Sequence, residues 1–212
     1  MKKLYKDYLN NKLKLATWQK IGVACLIIVM TGLFGWIYEY IFYYFNGGMK
    51  VFYWRGGNFL PWINIYAIGS VMILILTHKV KKKPWLIFLI AFISTGILEY
   101  FTGLAIYKLF DGARYWDYNT EILNFGNIGG FVCLRSVSFF GLSALLLVYL
   151  MVPFCIYLSK KMNKKLFLII SITLCTIFLA DELYNLVFSR IFGLPRAPAV
   201  YEERGIPFVH FF

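Results

Sequence analysis

Charge is scarce in this chain: Asp, Glu, Lys and Arg make up 15% of its 212 residues, against 60% apolar and 20% aromatic. A soluble domain carries about 25% charged residues, so the shortage excludes an ordinary water-soluble globule and points to an integral membrane protein. Histidine is scarcer still. His78 and His210 are far apart and fall at opposite predicted ends, which argues against a His-built catalytic zinc centre. The four cysteines, Cys25, Cys133, Cys155 and Cys175, have no metal-type spacing, and three lie in apolar segments as buried, reduced thiols. No metal ligands are assigned, and the sequence names no cofactor. The nucleotide-binding loop Gly-x-x-x-x-Gly-Lys-Ser/Thr is missing. No Ser–His or Cys–His pairing marks nucleophilic catalysis of that type. Acids are few, 10 against 22 basic residues. The basic excess sits in short clusters between apolar runs, where it sets topology and does not form a nucleic-acid surface. No segment is long and polar enough for a second domain.

What is abundant is apolar sequence in membrane-length runs. Ile21–Phe45, Phe59–His78, Trp85–Phe110, Ser136–Leu158 and Leu166–Phe188 each reach the roughly 20 residues a crossing needs. The expected fold is therefore all-α: a polytopic membrane helix bundle of five transmembrane helices within residues 21–190. Residues 1–20 precede it as an amphipathic segment, with Lys2, Lys3, Lys6, Lys12, Lys14 and Lys20 set among Leu4, Tyr5, Tyr8, Leu9, Leu13 and Trp18. The segment is not a signal peptide, because the apolar run after it is too long and no small-residue cleavage site ends it. Residues 191–212 follow as a tail.

Lysines cluster before the first run, at Lys79 to Lys83 and at Lys160 to Lys165, while the other links carry fewer basic residues over longer loops. By the positive-inside rule the N-terminus is cytoplasmic, the C-terminus external, and the protein a multi-pass resident of the cell membrane. The cytoplasmic links hold little more than a turn. The outer links, 46–58 and 111–135, carry the Gly, Asn, Trp and acidic residues, so recognition is expected near the outer face.

The stretch from Trp85 to Arg135 organises the chain. Glu99 sits inside its apolar run, and a carboxylate in hydrocarbon costs roughly 2.5–3.5 kcal/mol on insertion scales, so it needs a partner or a function. Glu39 and Glu182, the latter beside Asp181, occupy comparable places. The three acids fall 18, 14 and 16 residues past Ile21, Trp85 and Leu166, or roughly 21–27 Å into a layer of about 30 Å. If the three helices are neighbours, one outer-leaflet polar pocket results. Two readings stay open: ion pairs with Arg55, Arg114, Arg135 and Arg190 that pin the helices, or a pocket for a cation, an amine or a substrate hydroxyl. Candidate substrate-contacting residues are Glu39, Glu99, Tyr100, Trp116, Asp117, Tyr118, Asn124, Asn127, Arg135 and Glu182. Glu39-Tyr40 and Glu99-Tyr100 lie 60 residues apart, and each precedes an aromatic pair, Tyr53-Trp54 or Tyr115-Trp116. This spacing fits a parallel two-helix repeat.

Trp116-Asp117-Tyr118, a following asparagine (Asn124 or Asn127) and the run Gly129-Gly130-Phe131-Val132-Cys133-Leu134-Arg135 form a pattern, with Glu99 upstream of it. Arg55-Gly-Gly-Asn-Phe-Leu60 and Asn64-Ile65-Tyr66-Ala67 add to it. Together they resemble the CmpB-like family of bacterial multi-pass membrane proteins, named putative type IV ABC-transporter permeases. The resemblance covers roughly residues 30–150. The chain departs from the pattern at Asn119, Asn64 and Ala67, which stand where the family has serine, proline and glycine. The resemblance implies a transporter permease whose ATP-binding subunit is a separate chain.

Three functions compete. A permease or lipid- and solute-handling subunit would receive an amphiphilic or cationic solute at the acids and aromatic loop, and would oligomerise. A membrane-embedded enzyme on a lipid or polyprenyl substrate would use Glu99 and Asp117 as general acid or base, with Arg135 on a phosphate or oxyanion. A structural assembly partner would do no chemistry and would lay Pro195–Pro198 and Val209–Phe212 across the outer surface. Membrane lipids, the ATP-binding subunit and a second copy are the expected partners; nucleic acid is not.

Overall fold

The computed structural model describes residues 2–46 and 54–206. Lys50, Tyr53, His210 and the tail Val209–Phe212 lie outside the described residues. Within them the chain is helical, without a strand, and four helices are long and apolar enough to cross a membrane: Thr17–Asn46, Pro84–Leu109, Leu134–Lys161 and Lys164–Phe192. Four of the five predicted runs thus become helices of spanning length.

The second run differs. Its helix, α3, covers only Asn64–Thr77, and residues 58–63 ahead of it are irregular. Pro61 has no N–H for a helical ladder. The N–H groups of Phe59 and Leu60 go to the carboxylate of Asp181, at 3.0 and 2.9 Å. The segment is apolar enough to count as a span, but its hydrogen bonds are made outside any helix.

The described residues divide into two compact units, one from residues 2–46, 54–71 and 147–206 and the other from residues 72–146. The first contains α1 (Lys2–Leu9), α2 (Thr17–Asn46), a π turn at Leu147–Met151, α6 (Val152–Lys161), α7 (Lys164–Leu183), a second π turn at Tyr184–Phe188, α8 (Ser189–Phe192) and α9 (Ala197–Glu203). The lysine-rich start is thus a short helix, a break and then α2. The first π turn comes just before Pro153, where the ladder lacks a donor. α2 packs on α7 and α6. Val29, Trp62, Ala67, Cys175 and Phe178 form its buried cluster. Close approach depends on small residues: a Cβ at Gly32 would lie 2.9 Å from the Phe178 ring and 3.2 Å from Trp62 Cβ. Membrane helices use small residues in this way, because packing must replace the hydrophobic drive that lipid does not supply.

The second unit is built on α4 (Pro84–Leu109) and α5 (Leu134–Leu146), which pack on each other. α4 has two opposed stripes at four-residue spacing. Ile87, Ala91, Thr95, Glu99 and Gly103 are buried, while Trp85, Leu89, Ile93, Ile97 and Phe101 are exposed. Positions two apart on a helix point about 200° from each other, so Glu99 lies on the protein-facing stripe. The link from α6 to α7 is shorter than expected, just Met162 and Asn163, and the Asn163 side chain caps α7 by accepting from Lys165 N at 2.8 Å.

Candidate functional site

Each unit encloses its own buried acids. In the 72–146 unit, Glu99 is 4% exposed. Its two oxygens meet two hydroxyls: Tyr118 Oη donates to Oε1 at 2.5 Å and Ser136 Oγ to Oε2 at 2.7 Å. Ser136 opens α5, where its Oγ also lies 2.9 Å from Cys133 O and 3.4 Å from Cys133 N. Sequence reasoning named Glu99 and Tyr118 but missed Ser136, since a serine in the first turn of an apolar helix carries no signal of its own.

Tyr118 reaches Glu99 because the loop above is tied at several points. Tyr118 N donates to Gly130 O at 3.0 Å, and Asn124 Nδ2 donates to Tyr118 O at 2.9 Å. Asp117 Oδ1 accepts from Asn119 N at 3.0 Å, from Asn119 Nδ2 at 2.7 Å and from Arg114 at 3.5 Å. Asn127 donates to Asn119 Oδ1 and accepts from Gly130 N, both at 2.8 Å. Trp116 Nε1 donates to Phe131 O at 2.9 Å. Gly130 is required twice over. Its φ of +81° suits glycine, and a Cβ there would run into Arg114, Asn119 and Asp117. Arg135 pairs with the buried Glu121 at 2.5 Å and stands 5.2 Å over the Tyr118 ring. Tyr100 packs edge-on against Phe101 and Phe131. Trp116, Asp117, Asn124 and Asn127 thus share one loop, and their observed bonds build it.

In the other unit Asp181 is the hub. Its Oδ1 accepts from Phe59 N at 3.0 Å and Asn185 Nδ2 at 2.8 Å; its Oδ2 accepts from Leu60 N at 2.9 Å and Trp62 Nε1 at 3.0 Å. Glu182 accepts from Asn58 Nδ2 at 2.7 Å and Asn64 Nδ2 at 3.1 Å. Glu39 is paired with Arg55 at 3.0 Å, and the Arg55 guanidinium lies 3.6 Å from the Tyr43 ring centre. Asn185, in the second π turn, also accepts from Ala197 N at 2.8 Å, which ties α9 to the acid pair. Tyr201 on α9 donates to Phe59 O at 2.5 Å. Burial, and then the nearby Asp181 carboxylate, raise the Tyr201 phenol above its ordinary value, with Arg204 opposing. Of the arginines expected to neutralise membrane acids, Arg55 meets Glu39, whereas Arg114 and Arg135 pair with the loop acids Asp117 and Glu121. Among the described residues no group of three or more His, Cys, Asp or Glu side chains forms a metal site.

The model of the family described as "Putative ABC-transporter type IV" matches residues 26–186. The chain belongs to this family. As a member of the type IV ABC-transporter family with four helices of spanning length, it is a transporter-related membrane protein. No curated protein and no solved structure matches it. The family match includes Glu39, Glu99, Ser136, Asp181 and Glu182 and stops short of α9, so the Tyr201 tie belongs to the part of this family member beyond the match.

Proposed function

We propose that this chain is the membrane-spanning subunit of a transporter for an amphiphilic or cationic solute, driven by an ATP-binding subunit on a separate chain. Glu99 and the loop 111–135 are its solute-responsive part. The observation that carries this reading is the meeting of both Glu99 oxygens with hydroxyls. A hydroxyl donates or accepts, so Tyr118 and Ser136 can satisfy the acid with or without its proton. A buried acid of this kind can take up and release a cation or proton without stranding its neighbours.

The proposal places the N-terminus in the cytoplasm of a cell-membrane protein, with five crossings. The second crossing is α3 lengthened by residues 58–63; irregular backbone is tolerated at membrane depth where protein groups satisfy it, as Asp181 does here. Coupling to an ATPase falls to the N-terminal helix, because the short links at 78–83 and 162–163 leave little to dock. Asp117 holds the loop in this scheme and is not a second acid.

Affinity purification from the native membrane tests it. An ATP-binding subunit should copurify, and solute uptake should depend on ATP. Glu99→Gln should abolish uptake while the complex still assembles. A chain that purifies alone, with activity indifferent to ATP, overturns the proposal.

A further inference from the structure

The exposed side of α4 is not a plain helix surface. Ile93, Gly96 and Ile97 on α4, Ile128 and Val132 in the loop, and Val137 on α5 line an apolar groove of about 400 Å³ within the 72–146 unit. At Gly96 the two helices approach closely, since a Cβ there would lie 3.0 Å from Val137 Cγ1. The groove's rim continues onto exposed apolar loop residues, Leu123, Phe125 and Ile128, at 62%, 58% and 58% exposure. From this geometry we propose that the groove seats one acyl chain of a membrane phospholipid.

Two observations select that occupant. The groove opens on the stripe that includes Leu89, Ile93, Ile97 and Phe101, which is apolar along the length of a membrane-spanning helix and therefore meets lipid. Its size is wrong for a packed helix: one α-helical turn, about 10 Å across and 5.4 Å long, uses up a volume of this order. An extended hydrocarbon chain is narrower than a helix, and a volume of this order suits it. Lipid tails are as apolar as the lining, so seating gains no hydrophobic energy; fit and van der Waals contact decide it. The expected signature is localisation and residence more than tight affinity.

This proposal extends the transport reading by naming the apolar half of an amphiphile, but it is tested without nucleotide or partner, so the two can fail separately. The full chain is reconstituted in phosphatidylcholine–phosphatidylglycerol nanodiscs with a phosphatidylcholine carrying a diazirine midway along one acyl chain. After irradiation, adducts are mapped by peptide mass spectrometry. Adducts on Ile93, Ile97, Ile128 and Val132 should exceed those on the exposed Ile169, Ile170 and Ile172 of α7 by about fivefold, a ratio equivalent to about 1 kcal/mol. Ile97→Trp, at a position already exposed, should fill the groove and bring the ratio to parity while α7 labelling and thermal unfolding stay unchanged. Ile93→Trp is the second filler. Even labelling of both surfaces in the wild type overturns the proposal, as does enrichment that both fillers leave intact. A cysteine placed at Ile93 that cross-links to a second copy in the same discs overturns it too, because the groove is then a subunit contact.

Discussion

Asp181 and Glu99 are both buried carboxylates on long apolar helices, yet their partners differ in kind. Asp181 is met by four N–H groups, two from the backbone of residues 59 and 60, one from an indole and one from an amide. An N–H can only donate, so this set fits an acceptor-only carboxylate. Glu99 is met by a phenol and an alcohol, which can reverse direction. The first arrangement welds an irregular segment to a helix; in the second, each hydroxyl is of a kind that can donate to a carboxylate or accept from a carboxylic acid. Two buried acids of one membrane protein are thus held by neighbours of different chemistry, even where burial is similar.

Four substitutions break or sharpen this comparison. Asp181→Asn turns an NH2 toward N–H groups and should have the largest effect, a loss of about 3 kcal/mol or more, seen as low yield and early unfolding in detergent. If the asparagine variant is as stable as wild type, the fastening role is wrong. Gly130→Ala should follow, at about 1–3 kcal/mol for a strained left-handed backbone; limited proteolysis should then cut between residues 111 and 133, where wild type resists. Glu99→Gln should cost about 1 kcal/mol or less, since the hydroxyls can re-pair with an amide, and uptake should vanish all the same. A Glu99→Gln chain that unfolds as readily as Asp181→Asn would erase the distinction between the two acids.

The smallest effect concerns α9. Tyr201 has a raised phenol, so its bond to Phe59 O contributes fully below the ordinary tyrosine value of about 10 and is lost as pH climbs through the higher folded value. Tyr201→Phe should lower stability by about 1 kcal/mol at neutral pH. It should also remove this part of the alkaline loss, so the two unfolding curves converge at high pH. Curves that stay parallel to the alkaline limit would assign the pH dependence to another group.

Hydropathy made the long helices legible, because lipid demands a continuous apolar run and a closed backbone ladder, and both leave marks on composition. The same signal overran at the second helix. Phe59, Leu60, Trp62 and Ile63 read as hydrocarbon, while the groups that decide their conformation are the side-chain oxygens of Asp181, about 120 residues away. The Glu99–Tyr118 contact was within reach, since an acid in an apolar run must find donors and the nearby loop offered phenols. Ser136 and the role of Asp181 were not: one is an unremarkable residue type, and the other serves backbone N–H groups, which every residue but proline possesses. The expected meeting of Glu39, Glu99 and Glu182 rested on equal depth along three helices. Depth fixes only one coordinate of a side chain's position.

Asn185 gives the carboxyl-terminal region a reach that its length hides. One face of its amide grips Asp181 and the other catches the first N–H of α9, so this side chain, beside Tyr201, chains the final described helix to the charged heart of its unit. Cutting the gene before residue 197, or crowding that end with a bulky fusion, is therefore an internal injury and not a trim.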